Sequence, residues 1–142
     1  NKNSQLALST MAIVRKNQLL QDIAKELEGL KNELGYRIPN KYYSKISRLI
    51  TQDIESDHDW EIFEKLFDQA HQNFFRRLKE NYPSLTPSDL RLCAYLRMNL
   101  SSKEIAPLLN ISIRGVEERR YRLRKRLGLD TNDNLNDFIL KF

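Results

Sequence analysis

The sequence predicts an all-α fold, and three observations carry that prediction. Glycine and proline are scarce, with four of each in 142 residues, so turns are few and long helices are favoured. Apolar residues recur at three- and four-residue spacing through the first 34 positions. The last third of the chain carries helix-start and helix-stop signals in close succession. Composition sets further bounds. Hydrophobic residues make up 40% and charged residues 30%, so a core is possible but each helix must be amphipathic. The length suits one domain or two small ones, not a large enzyme. No apolar run approaches the roughly 18 residues of a membrane span, and no signal-peptide pattern is visible. The single cysteine, Cys93, excludes an internal disulfide and a Cys-based zinc site. The chain begins at Asn1, which suggests a piece of a longer protein.

The first helix is expected over Leu6–Leu34. With Leu6 at heptad position a, the a sites are Leu6, Ile13, Leu20, Leu27 and Leu34. The d sites are Ser9, Lys16, Ile23 and Leu30. Such a seam, along a helix roughly 45 Å long, predicts a parallel homodimeric coiled coil. Its dimerisation residues would be Leu6, Ile13, Leu20, Ile23, Leu27, Leu30 and Leu34. Glu26 at g and Lys31 at the following e would pair between chains, while Lys16 at a core site weakens the coil. Leu8, Ala12 and Leu19 broaden the apolar surface, which leaves packing on the same chain as the alternative.

Gly35 and Pro39 end this helix. A second is expected over Lys41–Glu55, with Tyr42, Tyr43, Ile46, Leu49, Ile50 and Ile54 on a broad apolar face. Asp57-His58-Asp59 reads as a capping loop with Asp59 as N-cap. A third helix is expected over Trp60–Asn81, its stripe being Phe63, Leu66, Phe67, Ala70, Phe74 and Leu78. Tyr82-Pro83 stops it. Thr86-Pro87-Ser88-Asp89 supplies an N-cap, a proline at N1 and an acid at N3 for a helix Pro87–Met98. Its inward residues are Leu90, Cys93, Ala94 and Leu96. Ser101-Ser102-Lys103-Glu104 is a capping box that opens a short helix, and Asn110 suits the left-handed residue that closes it. Ser112 caps a helix over Ile113–Leu127 with Val116, Leu123 and Leu127 inward, and Gly128 closes it. A last helix fits Leu135–Leu140. A short helix, a tight turn and a basic helix together make a helix-turn-helix arrangement.

Charge is concentrated on that basic helix. The chain carries +5 overall, and residues 111–128 alone hold seven Lys/Arg against two Asp/Glu. A basic concentration on one short element is the footprint of a phosphate-binding surface. A solvated, salt-bridged helix face is the plainer explanation of the charge taken alone.

These residues resemble a known family. Leu85-Thr86 with Leu90, then Leu100-Ser101-Ser102-Lys103-Glu104-Ile105-Ala106, Leu109, Ile111-Ser112, Val116 and Lys125-Arg126-Leu127-Gly128, look like the LuxR/GerE-type DNA-binding domain. That resemblance spans Leu85–Phe142. A wider one covers nearly the whole chain. Ser9–Asn17, Asp59–Glu64 and Leu90–Met98 look like the segment that precedes this domain in bacterial triple-tyrosine-motif regulators. There an extracytoplasmic propeller sensor, a membrane helix and a cytoplasmic coil come first. The resemblance therefore implies the cytoplasmic output portion of an inner-membrane transcriptional regulator. The chain departs from the family pattern in four places. Gly115 stands for the usual Thr, Arg119 for the usual His, Pro107 lies inside the short helix, and Glu117-Glu118 stand where Lys and a small residue are common.

Three parts are expected: a dimerisation helix (1–35), a helical connector (36–83) and a DNA-binding domain (84–142). Double-stranded DNA is the expected partner, with a homodimer and a contact to RNA polymerase. Arg114, Glu117, Glu118, Tyr121 and Arg122 lie on or near the face opposite Val116, Leu123 and Leu127, where the N-terminal half of the helix would enter the major groove. Arg124 and Lys125 are further phosphate candidates, and Ser102 and Lys103 could meet a phosphate at the start of the preceding helix. No catalytic constellation is legible, and no metal or cofactor is expected. His58 and His71 lack partners at metal spacing, and His71 reads as a surface or partner contact. Cys93 and Trp60 read as core. Two other readings remain open: a sigma-factor-like promoter-recognition subunit, and a coiled-coil scaffold whose basic helix binds no DNA.

Overall fold

A computed structural model of the chain describes residues 2–54 and 58–142. The elements are α1 (Lys2–Leu34), a 3-10 turn (Gly35–Arg37), α2 (Asn40–Ile54), α3 (His58–Ala70), α4 (Phe74–Asn81), α5 (Pro87–Arg97), α6 (Ser102–Leu109), α7 (Ile113–Arg126) and α8 (Leu135–Lys141). No strand occurs among the described residues, so the fold is all-α. None of these helices is long and apolar enough to cross a membrane.

The local punctuation acts as chemistry dictates. Thr86 and Asp89 form a reciprocal capping box at α5, and Ser101 and Glu104 form one at α6. The Ser101 backbone N–H holds the Glu104 carboxyl below its usual range. Asn110 takes the left-handed conformation at φ 56° after α6. Gly35 at φ 53° ends α1, and Pro39 then opens the way into α2. Asp59 lies within α3 rather than before it, so it is not the N-cap. Glu55 and Asp57 lie outside the described residues.

The expected helix Trp60–Asn81 is two helices. Gln72 and Asn73 are left-handed, at φ 55° and 60°, and separate α3 from α4. The Asp68 carboxylate accepts from the Phe75 N–H at 2.9 Å, and the Asp68 carbonyl accepts from the Asn73 N–H at 3.0 Å. Adjacent residues on one straight helix diverge by about 100°. The break instead lets Phe74 and Phe75 both enter the core beside Leu78. A ring cluster results. Trp60 stacks on Phe63 at 4.9 Å, Phe63 lies 5.6 Å from both Phe67 and Tyr95, and Phe74 meets Phe142 edge-on at 5.9 Å. Cys93 is buried in this core, and burial pushes its thiol pKa up, so it is protonated and inert.

The first half of α1 belongs to the same core, which corrects the expected seam. α1 packs along α3 and across α6, and Leu6 and Ile13 are only 2% and 8% exposed. They are sealed inside their own chain and cannot line a coil with another. Asn17, also buried, donates from Nδ2 to the carbonyls of Pro107 (3.2 Å) and Leu108 (3.4 Å) at the end of α6. These carbonyls belong to the last turn, which lacks partners within the helix. The second half of α1 leaves the core and pairs with α2 as an antiparallel hairpin. Lys16 Nζ lies 3.9 Å from Asp53, and Lys31 Nζ sits 4.0 Å above the Tyr43 ring. Lys31 therefore stacks within the chain rather than pairing with a partner's Glu26. Leu20, Leu27 and Leu34 are half-buried, while Ile23 and Leu30 stay exposed.

His71 is not a bare surface residue, because its ring stacks on Phe67 at 4.2 Å. Partial burial lowers its pKa first, the Arg97 charge lowers it further, and Asp68 opposes both. A histidine depressed in the folded state binds its proton more readily when unfolded. Its neutral form supports the fold above the ordinary value near 6.5, and that support is lost as pH falls through the folded value. His71→Phe keeps the stack and removes the proton site. Its stability relative to the parent should rise as pH falls from 7.5 to 5.5 in urea titrations. A difference that does not vary with pH would refute the assignment.

Candidate nucleic-acid interface

The α6–α7 pair is set by side chains that cap backbone, and an ion pair with one buried partner ties α7 to α5. Ser112 accepts from the Gly115 N–H at 3.0 Å to start α7. A Cβ at position 115 would lie 3.3 Å from Ser112 Oγ and 3.4 Å from Ile111 Cβ. Glycine therefore suits this close approach. Val116, Leu123 and Leu127 are buried, which fixes the rotation of α7 and turns its opposite face to solvent.

That outward face carries most of the expected residues. Arg114, Glu117, Glu118, Tyr121, Arg122 and Lys125 are all exposed on it, and the first five line one shallow hollow. Arg114 Nε lies 3.9 Å from Glu118. Lys125 Nζ sits 4.5 Å over the Tyr121 ring, and the lysine's hydrogen bond and charge lower the Tyr121 pKa. Ser102 Oγ donates to the Glu117 carboxylate and ties the start of α6 to the α7 face. Lys103 is exposed beside it.

Much of the positive charge is turned inward. Arg124 donates to the carbonyls of Asp130 (2.6 Å) and Asp133 (2.7 Å), closing the loop before α8. Its guanidinium holds that loop, so its donors meet loop carbonyls in this structure. Arg119 donates to Ser88 Oγ at 2.6 Å, and Arg120 donates to Asn136 at 3.0 Å. Arg126 grips both oxygens of Asp89 at 2.8 and 2.6 Å. Of the seven cations in residues 111–128, Arg114, Arg122 and Lys125 remain on the outward face. Arg122 also borders a second hollow with Ser88, Arg119 and Arg126.

The Asp89–Arg126 pair escapes a reading of the sequence. Asp89 is legible as a cap, and its carboxylate does accept from the Thr86 N–H at 2.9 Å. Its second partner stands 37 residues away, and no local pattern marks that distance. Asn17 escapes for the same reason. Among the described residues no group of three His, Cys, Asp or Glu gathers as metal ligands. Compared with protein-family models, curated proteins and solved structures, the chain has no match.

The Asp89 side chain is 6% exposed and that of Arg126 is 41% exposed. Removing the arginine leaves the buried carboxylate without a countercharge and with the Thr86 N–H still on it, whereas losing Asp89 would leave a guanidinium able to turn to solvent. Arg126→Met should lower the unfolding free energy by about 3 kcal/mol. Arg122→Met, on the open face, should change it by less than about 0.5 kcal/mol. Equal costs in chemical denaturation would mean that the pair does not anchor α7 on α5.

Proposed function

We propose that the chain is a sequence-specific, double-stranded-DNA-binding transcriptional regulator of the LuxR/GerE type that acts as a homodimer. On this reading it is the output portion of a membrane-linked signalling protein. The observation that carries the reading is the outward face of α7. Glu118 and Tyr121 sit on it between Arg114, Arg122 and Lys125, opposite a buried apolar stripe and just after a capped short helix with a left-handed turn.

Each group then has a physical task. Arg114, Arg122 and Lys125 neutralise phosphates on either side of the groove and release counterions. Lys103 and the opening turn of α6 approach the neighbouring backbone, where exposed N–H groups and the helix dipole favour an anion. Glu118 accepts from a cytosine amino group, and Tyr121 packs against a base edge. Glu117, held by Ser102, orients the start of α6 rather than reading a base. The internal use of Arg119, Arg120, Arg124 and Arg126 keeps the reading face at a fixed rotation. A contact from the DNA-bound regulator to RNA polymerase would pass this binding on to transcription.

Selection of bound duplexes from a random pool, followed by binding titrations over a range of salt, tests this reading. Each of Arg114→Ala, Arg122→Ala and Lys125→Ala should weaken all sequences alike and lower the log–log salt slope by about 0.9. Glu118→Ala or Tyr121→Ala should change preference at one or two positions of a half-site, by about 1–3 kcal/mol. If a folded triple variant of Arg114, Arg122 and Tyr121 keeps its DNA affinity, α7 is not the reader and the scaffold interpretation replaces this one.

A further inference from the structure

A recess lies between the first turn of α5 and the row of α7 that flanks its buried stripe. Thr86, Ser88, Asp89, Arg119, Arg122 and Arg126 line it, and its volume is about 220 Å³. The three arginines follow one another at spacings of three and four, so they share one side of α7. Arg122 stands where this row meets the outward face, because it borders both hollows. A water molecule takes about 30 Å³, so the recess has room for a tetrahedral oxyanion.

The lining carries a surplus of two positive charges, because it holds three arginines and one acid, Asp89. That carboxylate is already engaged. Arg126 holds both of its oxygens, at 2.8 and 2.6 Å, and the Thr86 N–H donates to it at 2.9 Å. Arg119 has no carboxylate. Its acceptor is the neutral Ser88 hydroxyl, at 2.6 Å, which uses one of the five N–H donors of a guanidinium. Arg119 is half-buried, and a charge drawn out of water without a countercharge is costly. Arg122 makes no hydrogen bond or ion pair among the described residues. Two guanidinium charges thus border the recess with nothing negative to offset them.

We infer that the recess binds a phosphate dianion, either inorganic phosphate or the end of a phosphate monoester. Guanidinium forks match phosphate oxygens in pairs. Arg119 and Arg122 take two terminal oxygens. Ser88 accepts from Arg119 and keeps its own O–H to donate to a third. Asp89 neutralises Arg126, which closes the wall of the recess beside them. A dianion balances the surplus of two charges, whereas one phosphodiester of a duplex backbone would balance only one. The site itself requires no DNA. It has a consequence that rests on the proposed function: Arg122 serves both the recess and the α7 reading face. An occupied recess therefore withdraws one phosphate contact from a duplex, and the ligand opposes DNA binding.

Titration of the 142-residue chain with inorganic phosphate, against chloride at equal ionic strength, tests it without DNA. The side-chain Nε–H resonances of Arg119 and Arg122 should shift saturably in NMR spectra. Arg119→Met and Arg122→Met should each weaken phosphate binding roughly tenfold, as loss of one charge-assisted pair implies. Arg76→Met, on α4, should leave it unchanged. Ser88→Asp supplies the anion from the chain itself. It should abolish the phosphate response and raise the urea midpoint above that of the parent, with helical circular dichroism retained. A parent that shows no saturable shift would overturn the inference, and so would a folded Ser88→Asp variant that binds phosphate as tightly as the parent. If phosphate shifts nothing while Arg119→Met lowers the log–log salt slope for a duplex by about 0.9, the recess belongs to the DNA face alone and the inference fails. The phosphate titration contains no DNA, so its failure leaves DNA binding by α7 standing, and failure of DNA binding leaves this site standing.

Discussion

One helix has to serve two environments, and the rest of the architecture follows from where it changes over. The first half of α1 is sealed against α3 and α6 through Leu6, Ile13 and Asn17. The second half leaves the core and travels with α2 alone. Between them the backbone stays helical without a break. A regular helix transmits rotation and translation along its axis, so the position of the hairpin is mechanically joined to that of α6. Asn17 is the contact at this joint. Its amide engages the last-turn carbonyls of α6, which the helix itself cannot satisfy.

The core that Leu6 and Ile13 of α1 join is largely aromatic. Trp60, Phe63 and Phe67 of α3 meet Phe75 of α4 and Tyr95 of α5 ring against ring. The break at Gln72–Asn73 turns Phe74 and Phe75 inward together. At the far side, Arg77 donates to the Phe142 carbonyl at 2.6 Å, and Arg97 donates to the carbonyls of Ile139 and Leu140 at 2.8 and 2.7 Å. The chain's end is therefore bound into the same cluster that holds its beginning. One core takes in buried residues from Leu6 to Ile139 but not Ile50, and it crosses the boundaries expected near residues 35 and 83.

Arginine in this protein is largely a structural residue. A guanidinium presents donors in a planar fork and reaches two acceptors at once. Arg124 does so with both terminal nitrogens, while Arg97 and Arg126 each reach two acceptors from one. The cation count of α7 is therefore a poor guide to the charge that a ligand would meet. Arg114, Arg122 and Lys125 define the outward field. Glu117 and Glu118 temper it, leaving a surface of mixed sign rather than a uniform basic stripe.

The sequence by itself determined most of the helices and many of their ends, but not the break at Gln72–Asn73 that divides the expected Trp60–Asn81 helix. Caps, left-handed residues and apolar spacing act within three or four residues, and Thr86, Ser101, Asn110 and Ser112 behave as their chemistry requires. It also determined which side of α7 faces out, because Val116, Leu123 and Leu127 leave one alternative. Tertiary structure decided the partners. A heptad states that a stripe must be covered but not by what, so Leu6 and Ile13 read as a seam although they are core. A basic side chain likewise does not reveal whether its acceptor is a phosphate or a loop carbonyl, as Arg124 shows. The Asp89–Arg126 pair and the Asn17 clamp depend on groups brought together only when the chain has folded, and the break before Phe74, though held locally by Asp68, serves a core that only the folded chain assembles. Their energies come from burial and from distance in space, and neither quantity is written in a local pattern.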